Sequence, residues 1–423
     1  LVCLVCLTVC ESRADEDAPP GEWNEMARRP DAPPGQWSVA RSPRPTGERT
    51  PELERLESLG YLAGGAPASG SSGVTIHEAA RSWAGLNLYV SGEFPGARLV
   101  DMDGRVVHEW RYDFDRAWPE RRREYATDRG ARNWIHAHLF ENGDVIGIFN
   151  DLGMVKLDVN SELLWKYGGG SHHDLHVADD GRIFVITHRD LSTPKVRRAA
   201  TVVEDAVTVL DERGNELDRV SLLDAFWNSD YASSLKEGAG GLRGQRLDLF
   251  HANRIVPLDG RLAGRIPAFR EGNFLLSLRS MNALAVIDID SEEIVWTASG
   301  LWLQQHCPSV TEGGNILLFD NQGNYGWSRV LEFDPVTQEI VWEYKGEEAS
   351  DFYSARFGTA QRLPNGNTLV AESHYGRAIE VTPEGDVVWE FLNPARAGSD
   401  GELVANLFEI ERVPRSYVES WLD

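Results

Sequence analysis

The chain has 423 residues, 42% of them hydrophobic, and a formal net charge of −24. That apolar content suffices for a large core, and no run approaches the ~18 apolar residues that a membrane helix needs. Such an excess of carboxylates excludes a nucleic-acid partner, whose phosphates demand a basic face.

The opening run LVCLVCLTVC holds Cys3, Cys6 and Cys10, which leaves Cys307 alone in the body of the chain. One remaining thiol makes no internal disulfide, so the cysteines do not report the compartment. The leader is more informative. LVCLVCLTV reads as the end of a signal-peptide apolar region. LTVC followed by Glu11 is similar to a lipoprotein box, which would tether the protein to a membrane through Cys10; cleavage after Ser12-Arg13-Ala14 is the alternative. Residues 1–14 are thus expected to be a leader, and the protein to be exported, periplasmic or envelope-attached.

Residues 15–73 are rich in Pro, Gly, Ser and charge, and they contain the near-duplicate DAPPGEW and DAPPGQW. This composition predicts a flexible linker, with a short helix over 52–65 stopped at Gly60. From residue 74 the pattern changes. A stanza recurs: a short strand, a Gly turn, an apolar strand, a polar loop, an alternating strand, a second turn, and a strand closing in Trp plus an aromatic or polar residue. Four strands per period is the signature of a β-propeller blade. Stanzas run at about 134–167, 173–222, 248–298, 306–344 and 355–391. The strands LNLYVS, ARLVDM and RVVHEW (86–110) lack an inner partner, which ANLFEIERV (405–413) would supply from the other end of the chain. The expectation is an all-β, six-bladed β-propeller over 74–423, closed by both termini so that no sheet edge is left open. Segments 112–131 and 223–247 interrupt the rhythm as excursions, the second predicted as a helix or loop. The turns DMDG, DVNS, DERGN, DIDS, DPVT and TPEG recur at one blade position, which reads as hairpin chemistry rather than calcium binding.

In a blade the first strand lines the channel, and its start lies on the same face as the loop after the second strand. Stanza starts give His136, His173, His251 and His306. Second-strand ends give Asn150, His188, Arg279, Asn321 and His374. A lone channel histidine is ordinarily a hydrogen-bonded lining group, and His77 and His108 fall outside the pattern. His138 and His176 are expected to line the bore. A cluster is different, because several imidazoles beside an arginine need an anion or a metal to offset their mutual cost. Three chemistries fit: nucleophilic attack by a neutral imidazole on a sulfuryl or phosphoryl centre gripped by Arg279; a metal on His136-Ala137-His138; or binding of an acidic ligand without turnover. The metal ranks second, for want of a carboxylate at ligand spacing. No phosphate loop, nucleotide fingerprint or nucleophile elbow is present, so no cofactor is expected.

At these residues the chain resembles the bacterial arylsulfotransferases. The strings that carry the resemblance are GVTIHEAARSWAGLNLYV, LVDMDGRVVHEW, SHHDLHV, DLFHANRI, LLSLRS, QHCPSV, GNILLFDN, AQRLPNGNTLVAES and GRAIEVTPEGDVVWEFLNP, in that order over about 74–415. The resemblance implies a six-bladed propeller and transfer of a sulfuryl group from an aryl sulfate donor to a phenolic acceptor, through a sulfated histidine and without a nucleotide sulfate. It carries catalytic roles onto His306, His251, His173 and Arg279. The other mouth residues His136, His188, Asn321 and His374 are candidates for binding substrate, and no metal ligand set is expected. Which of His172 and His173 faces the channel stays open, since neighbouring strand residues point oppositely. An ordinary imidazole nucleophile predicts loss of activity near pH ~6.5. The competing expectation is an exported, non-catalytic propeller that binds anionic aromatics or a protein.

Overall fold

The computed structural model describes residues 64–121, 130–193, 195–196, 201–235, 246–348, 351–397 and 401–422. The leader with Cys10 and the DAPPG repeats lie outside these residues, as does the helix expected over 52–65 except for its last two residues. Six blades, each with four antiparallel strands, surround one channel, and in the third Arg246–Asp248 adds a parallel strand beside Thr201–Val203. In chain order the second to fifth blades comprise His136–Leu139 to Leu163–Tyr167, Ser171–Val177 to Glu216–Ser221, Ala252–Pro257 to Glu293–Ser299, and His306–Val310 to Ile340–Tyr344. The sixth runs from Thr359–Arg362 to Val387–Leu392. In the first, Leu407–Val413 pairs as inner strand with Leu86–Ser91, in the register Leu407↔Ser91 to Val413↔Leu86. The ring is therefore closed by strands from opposite ends of the chain.

Ordered chain reaches further back than the composition boundary at residue 74. Gly73–His77 adds a fifth, outer strand to the sixth blade, and Gly64–Pro67 pairs with Leu403–Ala405. Polar composition is no bar here, because an edge strand needs only backbone partners. The excursions resolve into Phe114–Ala117 and the helix Leu222–Asn228, whose N-cap Ser221 accepts from the Asp224 N–H.

Burial explains the strand patterns. A middle strand such as Val145–Phe149 is buried at every position, since both of its faces pack on neighbouring blades. Outer strands such as Leu163–Tyr167 alternate between half-buried and exposed. The recurring tryptophans join one blade to the next. The indole N–H donates to a turn carbonyl of the following blade at 3.0 Å for Trp110 to Gly143, 3.0 Å for Trp165 to Glu212, 2.9 Å for Trp342 to Pro383 and 2.9 Å for Trp389 to Met102. In the fourth blade Trp296 instead packs edge-on against Phe269 at 5.0 Å. The recurrent turn aspartates hold their own hairpins. Asp101 Oδ1 accepts from the N–H groups of Asp103 and Arg105, both at 2.9 Å, and Asp158 Oδ1 from Asn160 and Glu162, both at 2.8 Å.

The closing seam carries a buried ion pair. Arg412 and Glu380, each with a fully buried side chain, pair across the first and sixth blades. Arg412 also donates to Asn87 Oδ1 at 2.7 Å and to the Trp83 carbonyl at 3.0 Å.

Candidate active site

Inner strands start irregularly in three consecutive blades. The register shifts between Ser171 and Leu175, between Ala252 and Arg254, and between His306 and Ser309. His173, His251 and Cys307 there adopt positive φ of 55°, 48° and 48°. Such bulges cost backbone energy and re-aim side chains, which is why they collect at functional sites. At the third blade the bulge breaks the strict alternation, so both His172 and His173 turn into the mouth: their rings lie 4.2 Å apart.

Four residues meet there as the sequence anticipates. His173 Nε2 lies 3.3 Å from His251 Nε2, and the rings of His173 and His306 are 6.1 Å apart. Arg279 donates to Gln304 Oε1 at 2.6 Å. Gln304 also offers its carbonyl to His306 Nδ1 at 3.1 Å, so one residue adjoins both nucleophile candidate and arginine. His306 Nδ1 lies 2.7 Å from Asn321 Oδ1. The Asn321 amide cannot be turned round, because its NH2 donates to the carbonyls of Ser354 and Phe357, each at 2.7 Å. His306 therefore carries its proton on Nδ1 and presents a lone pair on Nε2. Burial, then the positive charge of Arg279, push its pKa down to about 3.

His251 is oriented the same way by a carboxylate. Its Nδ1–H donates to Asp248 Oδ2 at 2.6 Å, which leaves Nε2 to accept from the His173 Nε2–H. Burial lowers the pKa of both rings, that of His173 further through the charges of His172 and His251. His172 behaves oppositely. Burial disfavours its cation, but the 2.6 Å contact of Nδ1 with Asp151 Oδ1 and that carboxylate's charge outweigh it and raise the pKa.

The other sequence candidates fall in three places. His188 sits beside His172 at a ring distance of 4.8 Å, with Nε2 at 3.6 Å from Asp151 Oδ1. His374 is buried, and its backbone N–H donates to Ser354 Oγ at 3.3 Å; the Ser354 carbonyl in turn accepts from Asn321. His136 borders the same small cavity as His173, His306 and Phe357, but its ring bonds to carboxylates and not to the other imidazoles. It lies deeper in the bore, where Nδ1 meets Glu409 Oε2 at 2.8 Å and Nε2 is 3.7 Å from Asp174 Oδ1. Two carboxylates hold it there, which strand position alone did not reveal. His138 and His176 line a cavity of about 700 Å³ with Arg254, Gln361, Glu409 and Glu411. The first-to-second-strand turn residues Thr311 and Gly366 also border it, so it opens at the end of the bore away from the imidazole cluster.

Sequence reasoning missed Asp151, Asp248, Gln304 and Phe357. Asp248 stands three residues before His251 and Gln304 two before His306, spacings that a local pattern search would reach. Asp151 follows the marked Asn150 at the end of a second strand. Phe357 had no signal; its ring lies 5.6 Å from His173 and 6.2 Å from His306, with Phe408 behind it at 4.8 Å. The site thus has an aromatic wall beside its imidazoles.

Solved structures resemble the chain at low identity. A protein of unknown function from Bacteroides caccae is 11% identical over 78% of this chain and 98% of its own, with a TM-score of 0.46. A streptogramin B lyase gives 13% identity over 82% and 95%, with a TM-score of 0.43, and the WD40 propeller of Doa1 13% over 84% and 96%, with a TM-score of 0.41. No curated protein matches the chain. The family described as Arylsulfotransferase (ASST) matches residues 136–394, more than half of the chain and all of blades two to six. The chain belongs to the arylsulfotransferase family, and it is an enzyme that takes aryl sulfates as donors and phenols as acceptors.

Proposed function

We propose that the sulfuryl group crosses in two displacements, with His306 as its carrier. The observation behind this reading is the fixed tautomer: the Asn321 oxygen holds the Nδ1 proton of His306, which supports Nε2 as a nucleophile at every pH above about 3. In the first step the Nε2 lone pair attacks sulfur, an N–S bond forms, and the aryl O–S bond breaks. The phenolate leaves as the anion, its charge and those of the sulfuryl oxygens met by the guanidinium of Arg279, and takes a proton from solvent. Arginine suits the task because its planar fork gives two parallel hydrogen bonds to a tetrahedral oxyanion.

In the second step the acceptor phenol approaches from the same mouth. His251, its tautomer set by Asp248 on the opposite nitrogen, accepts the phenolic proton on Nε2 as the oxygen attacks sulfur, the phenol O–H taking the place of the His173 N–H there. The N–S bond breaks and His306 is regenerated; the proton passes from His251 to solvent, so charge and protons balance over the cycle. Before the phenol enters, His173 donates to His251 and keeps that ring turned toward the site. Phe357 offers a face on which an aryl group can stack.

The test is release of 4-nitrophenol from 4-nitrophenyl sulfate with and without added phenol. Phenol-dependent release, with the mass of one sulfuryl group on the peptide that contains His306, is the expected result. His306→Ala should abolish turnover while the far-ultraviolet spectrum stays that of the folded protein; a fully active variant would remove His306 from the mechanism.

A further inference from the structure

Beside the imidazoles used for transfer stands a second group that the mechanism leaves idle. Asp151, from the loop after the second strand of blade two, faces His172 on the inner strand of blade three and His188 within its second strand, Ile183–Ser192. One ligand atom from each lies within 4.8 Å of the other two. Asp151 Oδ1 is 2.6 Å from His172 Nδ1 and 3.6 Å from His188 Nε2. Ligand atoms around a tetrahedral zinc ion stand about 3.3 Å apart, given bonds of 2.0–2.1 Å, and the two observed separations bracket that value.

A second observation points to a missing cation. Asp248 bonds His251 at 2.6 Å, whose ring lies 5.2 Å from that of His172, and Asp205 Oδ2 accepts from the N–H of the next residue, Ala252, at 3.2 Å, so two further carboxylates stand beside this group. Among the described residues, Asp205 Oδ1 and Asp248 Oδ1 are buried without a hydrogen-bond partner, and Asp205 itself is 0% exposed. Buried carboxylate oxygens left unpaired are costly, and a cation held by the neighbouring Asp151, His172 and His188 lowers that cost for both. Access is open, since the Asp151 side chain is 45% exposed while those of His172 and His188 are 4% and 13% exposed.

We propose that Asp151, His172 and His188 form a binding site for one divalent first-row transition-metal ion, zinc being the best match to two imidazoles and a carboxylate. Binding displaces the Nδ1 proton of His172, which a neutral ring regains on Nε2 and an imidazolium gives up to solvent, so that the ligand is the Nε2–H tautomer; a fourth position is left for water. The ion would hold the His172 ring, and with it the His173 ring packed edge-on at 4.2 Å. These ligands are not the His136-Ala137-His138 pair considered from sequence.

The experiment uses the full chain, stripped with chelator and titrated with cobalt(II) and then zinc. The expected result is one equivalent of cobalt with the intense visible absorption of a four-coordinate site, displaced by zinc, and a melting temperature that rises with zinc. Asp151→Asn and His188→Ala should each weaken uptake at least about tenfold, which is what loss of even an outer partner of a metal ligand costs. His306→Ala should keep the full equivalent, which separates this site from the transfer reaction. No stoichiometric uptake by the wild type, or uptake unchanged in both ligand variants, would overturn the proposal.

Discussion

The protonation state of His306 is decided by its neighbours. Asn321 selects the tautomer through an amide pinned by two carbonyls, and Arg279 adds to burial in disfavouring the imidazolium. The acid limb expected near pH 6.5 for an ordinary histidine therefore moves toward about 3. A pH–rate profile with constant kcat/KM from pH 7 down to 5 is the expected outcome, and a fall centred at 6.5 would contradict it. Arg279→Gln removes a positive charge, so the His306 pKa must rise and its acid limb must move to higher pH. The same variant should lower kcat about 10²–10³-fold, the usual loss when one donor to a developing oxyanion is removed. Asn321→Ala should reduce kcat without an equal change in KM, because it removes the nearer of the two acceptors that hold the Nδ1 proton while leaving Arg279 in place; equal effects on both would mark Asn321 as a binding group instead.

At the scale of strands, the site exists because three inner strands begin in bulges. A regular strand would send His172 and His173 to opposite faces; the positive φ of His173 lets both enter the mouth. These bulges are affordable only inside a closed ring, and the ring is closed at one seam. Arg412 and Glu380 tie that seam in full burial, where breaking one partner leaves an unpaired charge. Arg412→Ala should cost about 3–5 kcal/mol in urea unfolding, whereas a loss below ~1 kcal/mol would show that strand pairing alone holds the ring. The tryptophans act at the same scale, and their recurrence is what made the blades countable in the sequence. Each such indole sits on the fourth strand of its blade and finds its acceptor in the next blade, so its spacing records the blade period.

Across the whole molecule, histidine burial makes stability depend on pH. His138, His306 and His374 are pushed down to about 4, about 3 and about 4, burial being the largest cause in each. Unfolded histidines titrate near 6.5, so below that pH the unfolded chain binds protons that the folded one refuses. Each such histidine then subtracts up to ~1.4 kcal/mol per pH unit until its folded value is reached. His136 and His172, raised by Glu409 and Asp151 against burial, act in the opposite sense: their contribution is full at acid pH and fades as pH rises through their folded values. The melting temperature should fall between pH 7 and 5, and less steeply in His374→Gln; parallel slopes would mean that His374 is not held neutral.

The sequence by itself determined the periodic features: six blades, their turns, the closure by both ends of the chain, and the convergence of His173, His251, His306 and Arg279 on one mouth. Strand alternation and blade repetition are local rules, and residues that obey them can be placed by counting. Tertiary structure alone decided whatever depends on partners distant in the chain. Glu409 draws His136 into the bore across 273 residues of sequence, Asp151 reaches His172 from another blade, and Gln304 joins Arg279 to His306. Those pairings set the proton positions and charges from which the chemistry follows, and no period in the sequence encodes them because each is made once.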